Sequence, residues 1–469
     1  GNMINVAAIS TDLGTIVADG GADAINITIT DAVDDITDNE VTALNLIGNA
    51  TTGTLTATID GANAQLASLT ANASQAATCA YTITVDDKVN LSEAVIICGK
   101  TSTDIDFSSK VEDTLANYSA NTYGNLTTVA SKDSDVQLNI SDAAYNSETN
   151  DVTVAATVLS TIGNKTTGAV TVNNAIKISG TEDEVTAALV TAATLVVATS
   201  ALVTISDTPA IADLNAISAK AGVTTATIAA AAAATVDTLT TKSTDVITIS
   251  INDANNTSIL ATVLSSIGGK TADVATVENA IVITGSPAEV VAAVVTAATK
   301  VIAATAKPTI SGTPSVSQVN SIAAVTGNVT ATVGDSASNI AGLTTAATDV
   351  ITITINDAAY DSVSNDVTVS ATDLSTAGGS TSATVTVTNA IKIAGNTAQV
   401  TAALVEASTL VVATTALVDI SDNPTIAQLN AIAAKAGVVE ATLASTAIAV
   451  LAHVSTGLAT ASTDVITIP

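Results

Sequence analysis

Carboxylates crowd three turns of this chain. One turn holds Asp31, Asp34, Asp35, Asp38 and Glu40, a second Asp142, Glu148 and Asp151, and a third Asp357, Asp361 and Asp366. Calcium takes about six to eight oxygens from carboxylates and carbonyls on flexible loops, so turns of this composition suit Ca2+. A solvated acidic loop with Asp or Asn caps explains the same residues, and no EF-hand spacing accompanies them. The corresponding turn at Asp253 is shorter and carries fewer acids.

Other chemistry is sparse. Cys79 and Cys98 are the two cysteines. An oxidising compartment favours pairing them, and a reducing one leaves two thiols. A bridge across a loop of about 20 residues would add roughly 3 kcal/mol. No CxxC pattern occurs. His453 is the one histidine, so any Ser-His-Asp triad or histidine zinc site would have to use it. It stands in the Ala-rich stretch AVLAHVSTGLA, which reads as a helix. No phosphate-binding glycine loop is present, and the chain reads as non-catalytic. Asp207, Asp335 and Asp422 stand at strand ends as turn and cap residues. Asn26, Asn49, Asn72 and Asn328 open Asn-x-Ser/Thr triplets, which permit glycosylation without arguing for it.

What must hold these residues is a chain of 469 residues with 47% apolar and 1% aromatic side chains. Phe107 is the one phenylalanine and there is no Trp. Ala, Thr, Val and Ile do the packing, which suits a thin, regular core. The formal net charge is −30, and all 13 basic residues are Lys. Phosphate recognition relies on Arg and Lys fields, so nucleic acid and anionic membrane surfaces are poor partners. The Val185–Ile205 stretch is apolar, but Thr and Ser punctuate it, and it reads as a helix followed by a strand rather than a membrane span. The start Gly1-Asn2-Met3 reads as processed or cut.

Repetition organises the chain. The segment DVITISIND at Asp245 returns as DVITITIND at Asp349 and as DVITIP at Asp464, with looser copies at Asp135 and Asp23. The expected organisation is therefore the tail of a preceding repeat over 1–22, then repeats over 23–134, 135–244, 245–348 and 349–463. An orphan first strand follows over 464–469. The Cys pair falls in the first, divergent repeat.

Each long repeat divides into strands and short helices. In Val246-Ile247-Thr248-Ile249-Ser250-Ile251 the three Ile share one face, which predicts a half-buried strand. Ile211, Leu214, Ile217 and Ser218 have helical spacing. Thr208-Pro209, Ser286-Pro287, Thr313-Pro314 and Asn423-Pro424 each read as an N-cap followed by proline at the first helical position. Gly222, Gly269 and Gly327 read as helix ends. Strand–helix–strand connections give parallel strands, and a Thr/Ser-rich strand face argues against helices on both sides. The expected fold is α/β, with strand and short-helix units stacked as a parallel solenoid. The alternative is a string of four small α/β repeat domains.

The phrase Asp335-Ser336-Ala337-Ser338-Asn339-Ile340-Ala341-Gly342-Leu343 resembles the DSAANIAAL-type repeats of giant secreted bacterial surface proteins. These are RTX-type adhesins and the cell-surface motility and matrix proteins of marine cyanobacteria. The acidic, Arg-free, Thr/Ala/Val-rich composition is similar too, over most of the chain from about Asp135. The resemblance implies type I-like secretion, calcium-supported folding and a surface or matrix role. The nonapeptide calcium repeats of that family do not occur here.

The expectation is a secreted, non-enzymatic structural protein of a filament, sheath or surface layer, its partner a further copy of itself. The strand Asp464, Val465, Ile466, Thr467, Ile468 would complete the first module of the next copy by strand addition, a head-to-tail contact that propagates without closing. An adhesin stalk is the alternative. A ligand- or ice-binding Thr face comes third, because the uneven module lengths disfavour a flat array.

Overall fold

The computed structural model describes residues 24–30, 32–107, 111–443, 445 and 457–468, and these form α/β structure with parallel sheets. Asp31 and His453, with the Ala-rich stretch around the histidine, lie outside the described residues. The chain divides into two compact units, Gly1–Ile228 with Thr240–Ile247, and Ala229–Leu239 with Thr248–Pro469.

In the first unit one sheet runs Ile27–Thr28, Thr54–Gly61, Thr78–Val85, Ile105–Asp106, in that spatial order. Another runs Val111–Asp113, Leu138–Ile140, Val170–Val172, Val196–Val197, and Thr153–Ala155, Lys177–Gly180, Leu202–Ile205, Val223–Thr227 are four successive strands of a third, larger sheet. From Thr153 to Val197 the chain alternates between the last two sheets, so each receives every second strand.

The second unit repeats this plan. One set of strands runs Ser258–Leu260, Val282–Gly285, Lys307–Ile310, Thr330–Asp335, Val350–Ile355, Val385–Val387, Val411–Val412. Beside it in sequence runs Thr368–Ser370, Lys392–Gly395, Leu417–Ile420, Val438–Thr442, Val465–Thr467. Neighbouring strands pair in parallel, as in Ile353↔Val385 and Val418↔Val439. A parallel pair needs a crossover, and short helices supply most of them.

The expected strand alternation is present. Ile247, Ile249 and Ile251 are buried, while Val246 and Thr248 are exposed. Ile351, Ile353 and Ile355 repeat the pattern. The helices bury one narrow stripe each. Leu159 and Ile162 in Ala156–Gly163 are matched by Leu264 and Ile267 in Ala261–Gly268, all fully buried. No helix of the described residues is long and apolar enough to cross a membrane. Val185–Ile205 is the end of helix Glu182–Leu189 followed by strands Val196–Val197 and Leu202–Ile205.

The proline expectation holds at one place and is corrected at three. Ser286 caps helix Pro287–Val294, with Pro287 first in the helix. Pro209, Pro314 and Pro424 instead lie one residue before the N-caps Ala210, Ser315 and Thr425. There they are buried, which is the position of a hydrophobic staple. The glycines are also corrected in part. Gly269 ends its helix, but in right-handed backbone. Gly222 and Gly327 lie beyond their helices. A Cβ on Gly222 would come within 2.7 Å of the Ser200 carbonyl, and one on Gly327 within 3.0 Å of the Ala306 oxygen. Their role is close approach of adjacent backbones.

Candidate functional site

The most repeated chemistry in the structure is lateral, with polar side chains from one module satisfying the backbone of the module before it. Three sets recur. The aspartate that opens each DVITI segment is the first. Asp245 is fully buried; its Oδ1 accepts the Thr224 N–H at 2.8 Å and its Oδ2 the Lys242 N–H at 2.8 Å and the Ser218 hydroxyl at 2.6 Å. Asp349 takes the N–H groups of Val329 and Ala346, and Asp464 those of Val439 and Ala461. Two charge-assisted bonds to backbone donors hold each carboxylate.

The second set caps helices from outside. A helix leaves its first N–H groups without intrahelical partners. The Asp142, Asp253 and Asp357 carboxylates accept the first helical N–H of Leu115, Ala233 and Ala337, each at 2.7 Å. Asp113, Asp207 and Asp422 do the same for Leu91, Glu182 and Thr397. At the place equivalent to Asp207 and Asp422 stands Gly312, and the helix it faces begins with Pro287, which has no N–H to cap. The Thr397 hydroxyl and N–H hold the Asp422 carboxyl below its ordinary range.

Asparagines make the third set, which the sequence reading missed. Asn45, Asn320 and Asn430 each accept a backbone N–H from the following loop (Thr70, Thr344, Ala459) and donate to a carbonyl in it (Ser68, Gly342, Gly457). Asn215 accepts the Thr240 N–H in the same way. The available signal was a recurring tetrapeptide, LNLI, LNAI, VNSI and LNAI, on one helix of each repeat.

The acidic turns are mainly built from such bonds. Asp361 accepts the Val363 and Ser364 N–H groups, which hold its carboxyl below the ordinary range. Asn146 does the same for Glu148 and Thr149. Asn150 and Asn365 close the two loops by donating to Ala143 and Ala144, and to Ala358 and Ala359. Lys177 sits over the Tyr145 ring at 4.8 Å and Lys392 over Tyr360 at 5.3 Å. Lys392 also pairs with Asp419 at 3.0 Å.

Among the described residues one group of acids has carboxylate oxygens close enough to share a cation: Asp35, Asp60 and Asp86, within 4.8 Å of one another. Asp35 belongs to the first acidic turn, while Asp60 and Asp86 come from adjacent strand ends. The Asp35 N–H donates to the Asp60 carboxylate at 2.9 Å. Asp38 accepts from the Gln65 amide, and Asp34 is exposed on its turn. Asp142, Glu148 and Asp151 form no such group, nor do Asp357, Asp361 and Asp366.

Cys79 and Cys98 are both free, buried thiols. Burial pushes the Cys79 thiol up and the Cys98 thiol up to about 12. At the far end of the second unit, Val465–Thr467 pairs with Val438–Thr442 on one side, and Val465 and Ile468 are more than half exposed.

No protein-family model matches the chain, and no curated protein matches it.

Proposed function

We propose that this chain is a non-catalytic structural protein, built as a parallel α/β solenoid and exported to a cell surface or extracellular assembly, where copies associate end to end. The observation that carries this reading is lateral completion. Repeatedly a module's strand is bracketed, or its helix capped, by a carboxylate from the next, as Asp349 does for Val329 and Asp357 for Ala337. Modules of this kind cannot bury their faces alone, and an edge strand offers its backbone to a partner. Val465–Thr467 is at the edge of its sheet, paired on one side with Val438–Thr442, and Val465 and Ile468 are exposed.

In this reading a second copy adds a parallel strand along that edge, and the head-to-tail contact propagates into a filament. Nucleic acid and membrane insertion have no part in it. A net charge of −30 repels copies at low ionic strength, so salt or divalent cations favour association. Calcium would act as a structural ion, with Asp35, Asp60 and Asp86 as its first candidate ligands.

Removal of Asp464 to Ile468 tests the proposed contact. The full chain is expected to give a concentration-dependent rise in light scattering with calcium present, and the truncated chain none. Equal scattering from both would remove this strand from the interface. No association by the full chain would favour the second reading, a spacer within a giant surface adhesin whose further modules pair at the same edge.

A further inference from the structure

Two equivalent grooves lie between neighbouring helices and differ in one hydrogen bond. The first runs between Leu91–Cys98 and Leu115–Lys132, the second between Val316–Ala323 and Ala337–Ile340. In each, an aspartate at a strand end holds the start of the next helix. Asp113 Oδ1 accepts the Thr114 N–H and the Asn117 amide, and Asp335 Oδ1 accepts the Ser336 N–H and the Asn339 amide. The other oxygen sets the two apart. Asp113 Oδ2 accepts the Leu91 N–H at 3.0 Å, and that groove measures about 280 Å3. Val316 stands where Leu91 does, but Asp335 makes no bond to it, and the groove there measures about 490 Å3. Its lining carries four groups without a hydrogen-bond partner among the described residues: Asp335 Oδ2, the Val316 N–H, the Ser317 hydroxyl and Asn339 Oδ1.

We propose that this second groove binds a neutral saccharide through adjacent ring hydroxyls. A hydroxyl donates and accepts at once. One hydroxyl therefore bridges the Val316 N–H and Asp335 Oδ2, the two groups whose counterparts bond directly in the first groove. The neighbouring hydroxyl meets the Ser317 hydroxyl and the Asn339 amide oxygen. No Lys lines the groove, so an anionic ligand finds no counter-charge beside Asp335. A divalent cation finds one carboxylate, where calcium takes about six to eight oxygens. No aromatic ring lines the groove either, so the hydrogen bonds carry recognition. The preceding repeat has Ala231 and Thr235 at the places of Asp335 and Asn339, so the fold is kept without this pair. Saccharide binding is independent of end-to-end association.

An array of immobilised neutral oligosaccharides, probed with the full chain, tests the groove. Binding to a subset of them is expected. Asp335→Ala combined with Asn339→Thr introduces the pair that the preceding repeat carries, and should weaken binding by about tenfold or more, as loss of a hydrogen bond to a charged group does. Ser317→Ala removes a hydroxyl that holds no other residue, so it leaves the fold's own hydrogen bonds intact, and it should weaken binding as well. An array with no neutral saccharide bound overturns the proposal. Binding that both variants retain in full overturns it too, as does a preference for anionic over neutral saccharides.

Discussion

Asp422 follows the strand Leu417–Ile420, yet its carboxylate accepts the N–H and hydroxyl of Thr397, the first residue of the preceding helix. A helix cap of this type contributes about 1 kcal/mol, and here it also fixes which helix lies beside which strand. Asp422→Ala should therefore lower the stability of the second compact unit by about 1 kcal/mol in denaturant unfolding. Gly312→Asp, at the equivalent place, should give no gain, because Pro287 has no N–H to receive and Gly312 has φ of +82°, a region that favours glycine. The Asp422 carboxyl is held low by Thr397. Its contribution is present above the ordinary carboxylate range and is lost on acidification. Asp133, which accepts the Phe107 N–H, is opposite in sign: burial foremost, with Asp135, raises its carboxyl despite backbone donors from both Phe107 and Asp135.

At the level of elements, periodicity was the readable signal. Alternating Ile in Val246–Ile251 and Val350–Ile355 identified strands with one buried face, and the spacing of Leu214 and Ile217 identified a helix. The prolines were harder to place, since Pro before a helix looks the same at the first helical position and one residue before the cap. Only the hydrogen bond from the Gln318 N–H to Ser315, or from Gln428 to Thr425, separates the two. Asp35, Asp60 and Asp86 were beyond sequence reasoning, because register between separate strands brings them together. The bracketing role of Asp245, Asp349 and Asp464 was likewise hidden. Their repetition was plain, but their partners lie in the preceding module. The helices are short, so each depends on a few buried side chains. Leu264→Ala, in Ala261–Gly268, should cost about 2–5 kcal/mol, read as a fall in the denaturation midpoint of the second unit.

For the whole molecule, the same bonds that join modules inside one chain are the ones a second copy would have to supply at its edge. A chain rich in Ala, Thr and Val, with 1% aromatic residues, has little thickness of core to draw on. In the proposed solenoid, stability grows by adding neighbours rather than by enlarging any one module. The proposed function makes the chain a filament subunit. Negative-stain electron microscopy of the purified chain in calcium and moderate salt tests that claim most directly. The account predicts long, unbranched filaments of constant width, which grow with protein concentration and disappear when Asp464 to Ile468 are removed. Single particles that never lengthen at any concentration would contradict it.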